Sequence, residues 1–134
     1  MTHKPLILVV DDEIHILHVV SLKLQNAGFE VLTAHDGQEA LDMALEQHPD
    51  LVITDFQMPY LNGIELCQRL KANSATTAIP AIMLTARGFA LPDESLEQTN
   101  IVTVLSKPFS PRELLARVHE VIRPSVTQET DVDC

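Results

Sequence analysis

Short apolar runs alternate along the chain with longer segments that have helical periodicity. Runs of four to six apolar residues are followed by segments of ten to fourteen residues in which apolar positions recur three or four apart. This alternation is typical of βαβ units, in which a helix joins two parallel strands. The pattern predicts an α/β protein with five strands in one parallel sheet and five helices.

Turn and cap residues between the runs set the element boundaries. Gly28 is placed to end the first helix, Pro49 to stop the second, and Ser110 with Pro111 to begin the last. The predicted strands cover about residues 5–10, 30–34, 51–54, 81–84 and 102–105. The predicted helices cover about residues 14–27, 36–47, 63–72, 87–100 and 111–123, the fourth having the weakest pattern.

The first helix carries an apolar stripe that predicts its buried face. The stripe consists of Ile16, Val19, Val20, Leu24 and Ala27. Ile14 and Leu17 fall outside it, beside His15 and His18. Two imidazoles without a third ligand or a thiolate favour a polar helix face over a metal site.

Polar side chains stand where four of the five predicted strands end. Asp11 and Asp12 follow the first strand, Asp55 follows the third, Thr85 closes the fourth and Lys107 follows the fifth. Because the carboxyl ends of parallel strands meet at one edge of a sheet, where open α/β sheets bind ligands, we expect these groups to converge.

The three carboxylates predict a divalent cation at this edge. Two unit charges about 4 Å apart repel by about 4 kcal/mol at an effective dielectric constant near 20. Mg²⁺ removes that cost and suits carboxylate, water and phosphate ligands. The alternative for Asp11 and Asp12 is that they only begin a helix, where acidic groups favour the positive end of the dipole.

Asp55 is the candidate nucleophile because it ends a strand that is apolar on both faces, against its desolvation cost. A carboxylate can attack phosphorus without a general base, so the remaining need is charge neutralisation and positioning. The Thr85 hydroxyl, the Ala86 backbone N–H and the Lys107 ammonium can supply both. Taken singly, Thr85 is a strand-end hydroxyl and Lys107 a solvated lysine.

Four segments together resemble the receiver domain of two-component response regulators. They are LVVDDE (Leu8–Glu13), DFQMPYLNG (Asp55–Gly63), LTA (Leu84–Ala86) and SKPF (Ser106–Phe109), in the order and spacing of that family. The resemblance covers residues 5–123 as one receiver domain and leaves residues 124–134 as a short acidic tail. It implies the flavodoxin-like receiver fold, a doubly wound five-stranded parallel sheet with strand order 2-1-3-4-5 flanked by five helices.

The resemblance also implies a chemistry. Asp55 would accept a phosphoryl group from a phosphohistidine on a histidine kinase or a histidine phosphotransfer protein. Mg²⁺, with Mn²⁺ as a substitute, would be bound by Asp12, Asp55 and the backbone carbonyl of Gln57, while Asp11 would act through metal-bound water. No enzymatic activity is implied beyond self-phosphorylation from a donor and self-dephosphorylation.

Other positions would modulate that chemistry in the family. A cis Lys107–Pro108 bond would aim the lysine inward. Gln57 and Arg87 match the variable positions that flank the phosphoryl site, and Arg87 either pairs with phosphate oxygens or points into solvent. Receiver domains usually carry Tyr or Phe three residues before the lysine, where this chain has Val104. The aromatic part of the switch is therefore missing.

The turn before the fifth strand is a further departure, since the family commonly has small residues there. This chain has EQTNIVT, and the turn is expected to rely on left-handed geometry at Asn100.

Composition narrows the function classes. Nine basic and nineteen acidic residues among 134 give a formal charge of −10, which disfavours direct binding to nucleic acid or an anionic membrane. No apolar run reaches the roughly 18 residues needed to span a bilayer, and the apolar stretch near the start is too short for a signal peptide, so the cytoplasm is the expected location. Cys67 and Cys134 are too few for a disulfide framework or a metal site.

Two functional classes follow. The first is a phosphorylation-controlled switch or phosphorelay shuttle that alters contacts with a downstream protein, and the second is a constitutive protein-binding module that no longer needs phosphate. The full acidic, hydroxyl and lysine set favours the first, and Val104 favours the second. An aspartate-nucleophile phosphatase is disfavoured because Gln57 replaces the second acid that such chemistry places two residues after the nucleophile.

Overall fold

Five strands and four helices make up the part of the chain that the computed structural model describes, which is residues 4–58, 60–85 and 99–122. In chain order these elements are β1 (Leu6–Val10), α1 (Ile14–Asn26), β2 (Glu30–Ala34), α2 (Gly37–Gln47), β3 (Leu51–Asp55), α3 (Gly63–Ala72), β4 (Ala81–Thr85), β5 (Ile101–Ser106) and α4 (Pro111–Val121). Each described element lies within two residues of its predicted bounds. Residues 87–98 of the predicted fourth helix, and the predicted tail, lie outside the described residues.

The strands form one parallel sheet in the order β2-β1-β3-β4-β5, which confirms the predicted α/β sheet and its strand order. Strands β3 and β4 are buried along their whole length, because helices cover both faces of the sheet. Helices α1 and α4 pack on one face around Val20, Leu24 and Val118. Helices α2 and α3 pack on the other around Ala44 and Leu66. All carboxyl ends of the strands therefore point to the same edge.

The buried face of α1 differs from the predicted stripe. Leu17, Val20 and Leu24 are its buried residues, whereas Val19 is 49% exposed and Ala27 lies beyond the helix end on the surface. The prediction is confirmed for Val20 and Leu24 and was wrong for Val19 and Ala27. Apolar residues occupy more than half of the circumference of this helix, so periodicity alone could not distinguish two overlapping faces. In the folded protein, Leu17 is buried in the cluster between α1, the sheet and α4, and Val19 is left exposed.

Local caps begin three of the helices as their sequences indicate. The side chains of Asp36, Asn62 and Ser110 each accept a hydrogen bond from a backbone N–H in the first turn of α2, α3 and α4. Asn62 and Glu65 form a reciprocal capping box. Among the described helices, none combines the length and apolar character needed to cross a membrane.

The turn before β5 uses a side chain rather than left-handed backbone. The side-chain amide of Asn100 donates a hydrogen bond to the Ile79 carbonyl, and the Ala81 N–H donates to the Asn100 carbonyl at 2.9 Å. Among the described non-glycine residues, positive φ occurs at His48 and Tyr60. The expectation of left-handed geometry at Asn100 was therefore wrong. Its side-chain amide instead links the segment before β5 to the segment before β4 by a hydrogen bond.

We expect His48→Gly to stabilise the fold. His48 ends α2 with φ 50° and ψ 63°, a left-handed conformation that costs a residue with a Cβ about 1 kcal/mol relative to glycine. Urea unfolding should therefore give a higher midpoint. Gln47→Gly, one residue earlier and inside the helix, is the matched control and should lower the midpoint. Equal losses in both variants would contradict the prediction.

Candidate functional site

Three carboxylates meet at the carboxyl edge of the sheet, as the strand-end pattern predicted. One oxygen from each of Asp11, Asp12 and Asp55 lies within 4.8 Å of the others. Asp11 and Asp55 are buried, and Asp12 is exposed. Strands β1 and β3 are neighbours in the sheet, and this adjacency brings together residues that are more than forty positions apart.

Lys107 reaches this cluster from the end of β5. Its Nζ lies 2.8 Å from Asp55 Oδ1 and 3.5 Å from Asp11 Oδ2. The Lys107 N–H donates to the Thr85 carbonyl at 2.7 Å, and the Lys107–Pro108 peptide bond is cis, as expected. The ammonium is therefore held over the carboxylates rather than in solvent, which removes the alternative of a solvated lysine.

Glu13 also contacts the ammonium, and sequence reasoning did not single it out. Its Oε1 lies 3.8 Å from Lys107 Nζ. The signal available in the sequence was its position directly after Asp12, which was assigned only to the family motif. Which way its side chain points depends on how α1 leaves the sheet, and that is a tertiary property.

Burial changes the proton affinities of the site. Desolvation raises the pKa of Asp11 from 3.8 to about 6, against the hydrogen bond that its carboxylate accepts from the Glu13 N–H. Desolvation also raises the pKa of Asp55, while Lys107 opposes that shift. Burial lowers the pKa of Lys107, but the hydrogen bond and charge of Asp55, with Asp11 and Glu13, outweigh it and raise the pKa overall. A charged Lys107 therefore lies beside two carboxylates, Asp11 and Asp55, whose pKa is raised by burial.

A small cleft opens over Asp55. Its volume is about 270 Å³, and Asp12, Gln57 and Lys107 are among the residues that line it. The Thr85 side chain is fully buried, and its hydroxyl has no hydrogen-bond partner within the described residues. A buried hydroxyl without a partner is uncommon, and this one lies at the end of β4.

The backbone after Asp55 is fixed by close contacts on the α3 side. The Gly63 N–H donates to the Phe56 carbonyl at 2.8 Å, and a Cβ on Gly63 would lie 2.5 Å from the Asp55 carbonyl oxygen. Glycine permits this approach because it has no side chain. The hydroxyl of the fully buried Thr54 donates to the same carbonyl at 2.9 Å. These contacts position the loop that carries Gln57.

Val104 lies on the edge strand β5, in register with Met83, and is 39% exposed. Ala86 and Arg87, which were predicted to contact the phosphoryl group and to tune its lifetime, lie outside the described residues. Pro59 of the loop after β3 lies outside them as well.

The donor set suits a hard divalent cation. Three carboxylates in a partly buried cleft carry more negative charge than Lys107 can offset, and oxygen ligands of this type favour Mg²⁺. The site therefore fits the predicted metal.

Comparison with known proteins gives a consistent result. The sequence model of the response regulator receiver domain family matches residues 7–119. The phosphate regulon transcriptional regulatory protein PhoB of Pseudomonas aeruginosa is 41% identical over 119 residues, which are 87% of this chain and 51% of that protein. The alkaline phosphatase synthesis transcriptional regulatory protein PhoP of Bacillus subtilis is 40% identical over 124 residues, covering 89% of this chain and 49% of that protein. The chain thus spans about half the length of the curated relatives that it matches.

Solved structures agree with this match. The chemotaxis response regulator CheY4 of Vibrio cholerae superposes with a TM-score of 0.81 at 36% identity, covering 88% of this chain and 98% of that one. The receiver domain of the sensor histidine kinase PA1611 of Pseudomonas aeruginosa, solved with a magnesium ion in its active-site cleft, superposes with a TM-score of 0.81 at 27% identity, covering 90% and 99%.

Asp11→Asn should stabilise the metal-free protein at neutral pH. Asparagine keeps an acceptor for the Glu13 N–H and removes a buried charge, so the free energy of unfolding in EDTA should rise by about 1–3 kcal/mol at about pH 7.5. The pKa of Asp11 is raised to about 6, so the folded state binds the proton more tightly than the unfolded state. The charge penalty is therefore full above about pH 6 and disappears as the pH falls towards about 4.

Urea unfolding at about pH 7.5 and about pH 4.5 measures this difference. Asp42→Asn, an exposed position on α2, is the matched control and should change neither value. Mg²⁺ should favour the wild type over Asp11→Asn. An equal destabilisation of Asp11→Asn at both pH values would show that the carboxylate is not a source of repulsion.

Proposed function

The chain belongs to the response regulator receiver domain family, and we propose that it works as a phosphorylation-controlled signalling switch with Asp55 as the phosphoryl acceptor. The single observation that carries this proposal is the contact of 2.8 Å between Lys107 Nζ and Asp55 Oδ1 inside the three-carboxylate cluster. This contact supports the proposal that a nucleophile, a cation site and a fixed positive charge lie within one cleft.

The proposed reaction is a transfer from phosphohistidine to Asp55. An oxygen of Asp55 forms a bond to phosphorus while the bond between phosphorus and the imidazole nitrogen breaks, and that nitrogen keeps the electron pair. Lys107 and the Thr85 hydroxyl would hold the phosphoryl oxygens. Mg²⁺, held by Asp12, Asp55 and the Gln57 carbonyl, would supply neutralisation of the negative charge in the transferred group.

A groove beside Lys107 supports a protein as the donor. It has a volume of about 630 Å³ and lies between α1 and the segment after β5, with Ile16, Val19, Pro108 and Phe109 among its lining residues. An apolar groove adjoining the cleft suits a helical partner that carries the phosphohistidine. We propose a histidine kinase or a histidine phosphotransfer protein as that partner, and a downstream protein as the reader of the phosphorylated form.

Val104 favours a second candidate function, a protein-binding module that does not require phosphate. A valine that is 39% exposed on the edge strand cannot swing a large ring into space vacated by Thr85. The two functions differ in one property, since only the switch accepts a phosphoryl group.

Incubation with Mg²⁺ and acetyl phosphate should add one phosphoryl group to the wild type. Asp55→Asn should abolish the adduct because the amide is not a nucleophile, and Lys107→Ala should slow its formation by about tenfold or more because the fixed charge is lost. Intact mass measures the adduct.

Asp42→Asn, which removes an exposed aspartate on α2, should be phosphorylated like the wild type. An adduct that persists in Asp55→Asn would refute Asp55 as the acceptor. A wild type that gains no mass would favour the phosphate-independent module.

Phosphorylation should cause only small changes near Val104. Because the ring that usually rotates is missing, amide chemical shifts on addition of beryllofluoride, a phosphoryl mimic, should change most at Asp12, Asp55 and Lys107 and little at Met83 and Val104. Val104→Tyr should enlarge the response of β5. A large shift centred on Val104 in the wild type would contradict this.

A further inference from the structure

Lys107 faces one carboxylate that has no place in the proposed metal site. Glu13 Oε1 lies 3.8 Å from Lys107 Nζ, beside the contacts of that ammonium with Asp55 at 2.8 Å and Asp11 at 3.5 Å. The Glu13 side chain is 64% exposed, against 10% for Asp55 and 1% for Asp11. Glu13 therefore stands at the mouth of the cleft, where an incoming molecule meets it first.

The start of α1 fixes Glu13 in this place. Its N–H donates to Asp11 Oδ1 at 2.9 Å, and its carbonyl accepts the N–H groups of Ile16 and Leu17 at 3.1 Å. Glu13 occupies the N-cap position, yet its side chain forms no capping hydrogen bond. The helix end thus holds the backbone of Glu13 and leaves its carboxylate to the cleft.

This carboxylate decides the net charge of the loaded site. The four carboxylates of Asp11, Asp12, Glu13 and Asp55 with one ammonium carry a net charge of −3, which one divalent cation reduces to −1. Without Glu13 the loaded cleft would be neutral. A doubly negative molecule is repelled by a given field twice as strongly as a singly negative one.

We propose that Glu13 is a specificity-determining residue that disfavours doubly negative phosphoryl donors relative to singly negative ones. The inference rests on the proposed function of Asp55. Acetyl phosphate is doubly negative at about pH 7, whereas in phosphoramidate the protonated nitrogen offsets one charge. In both cases an Asp55 oxygen bonds to phosphorus while the bond to the leaving group breaks, and acetate or ammonia departs with the electron pair.

The test is the ratio of the second-order rate constants for acetyl phosphate and phosphoramidate, measured by intact mass at saturating Mg²⁺ and low ionic strength. Glu13→Gln should raise this ratio by about twofold to fivefold. Glu13→Asp keeps the charge and should keep the wild-type ratio. About 0.5 M NaCl should shrink the effect of Glu13→Gln, since salt screens exposed charges. A partly inactive preparation changes both rates equally and leaves the ratio unaffected.

Glu30→Gln is the matched control. Glu30 is exposed and pairs with Leu6 at the amino end of β1, whereas Ala34 pairs with Val10 beside the cleft. Four residues at about 3.3 Å each place Glu30 about 13 Å further from the cleft than Ala34. Because Coulomb repulsion falls with distance, Glu30→Gln should change the ratio much less than Glu13→Gln does.

An unchanged ratio in Glu13→Gln, or an equal rise in Glu30→Gln, would overturn the inference while leaving Asp55 as the acceptor. Failure of the wild type to react with either donor would instead overturn the proposed function.

Discussion

The ion pair between Lys107 and Asp55 is the interaction on which the functional edge of this protein depends. Parallel strands bring Asp11, Asp12 and Asp55 within 4.8 Å of one another, and that proximity is unfavourable for three like charges in a partly buried cleft. Lys107, which follows the edge strand β5, offsets part of this repulsion because its Nζ lies 2.8 Å from Asp55 Oδ1. The remaining negative charge makes the site suited to a divalent cation.

Contacts without any charge set the geometry of this pair. The backbone of Gly63 packs so closely on the Asp55 carbonyl oxygen that a Cβ at this position would lie 2.5 Å from it. The same carbonyl accepts a hydrogen bond from the buried Thr54 hydroxyl. The Lys107 N–H is tied to the Thr85 carbonyl across β4 and β5. Because the backbone on both sides of the cleft is held in this way, the acidic cluster does not have to rearrange to present its oxygens.

The residues around the acidic cluster, Val104 and Glu13, are more exposed than the buried side chains of Asp11 and Asp55. The proposed chemistry of accepting phosphate uses Asp55, Lys107 and the buried Thr85 hydroxyl. Val104 on the edge strand and Glu13 at the mouth of the cleft act at its periphery. Under the proposed function, the first bears on how the phosphorylated state is communicated, and under the further inference the second bears on which donors react.

Sequence reasoning reached most of the fold, because alternating strand runs and helical segments encode a parallel sheet and because strand-end residues of such a sheet share an edge. The start of the last helix at Ser110 was predicted from its cap, since such signals involve residues only a few positions apart. The buried face of α1 could be predicted only in part, because its apolar surface is wider than the area that contacts the sheet and α4. The role of Asn100 was also missed, since its hydrogen-bond partner Ile79 is twenty-one residues away.

The sequence by itself determined which groups gather at the carboxyl edge, since strand order and strand direction place Asp11, Asp12, Asp55, Thr85 and Lys107 there whatever the details of packing. Only the tertiary structure decided their distances, their burial and their proton affinities. It also brought in Glu13, whose carboxylate joins the cleft through the angle at which α1 leaves the sheet. The reason is physical: local sequence sets the backbone path of each element, whereas charge interactions depend on separations and solvent access that arise only when the elements pack.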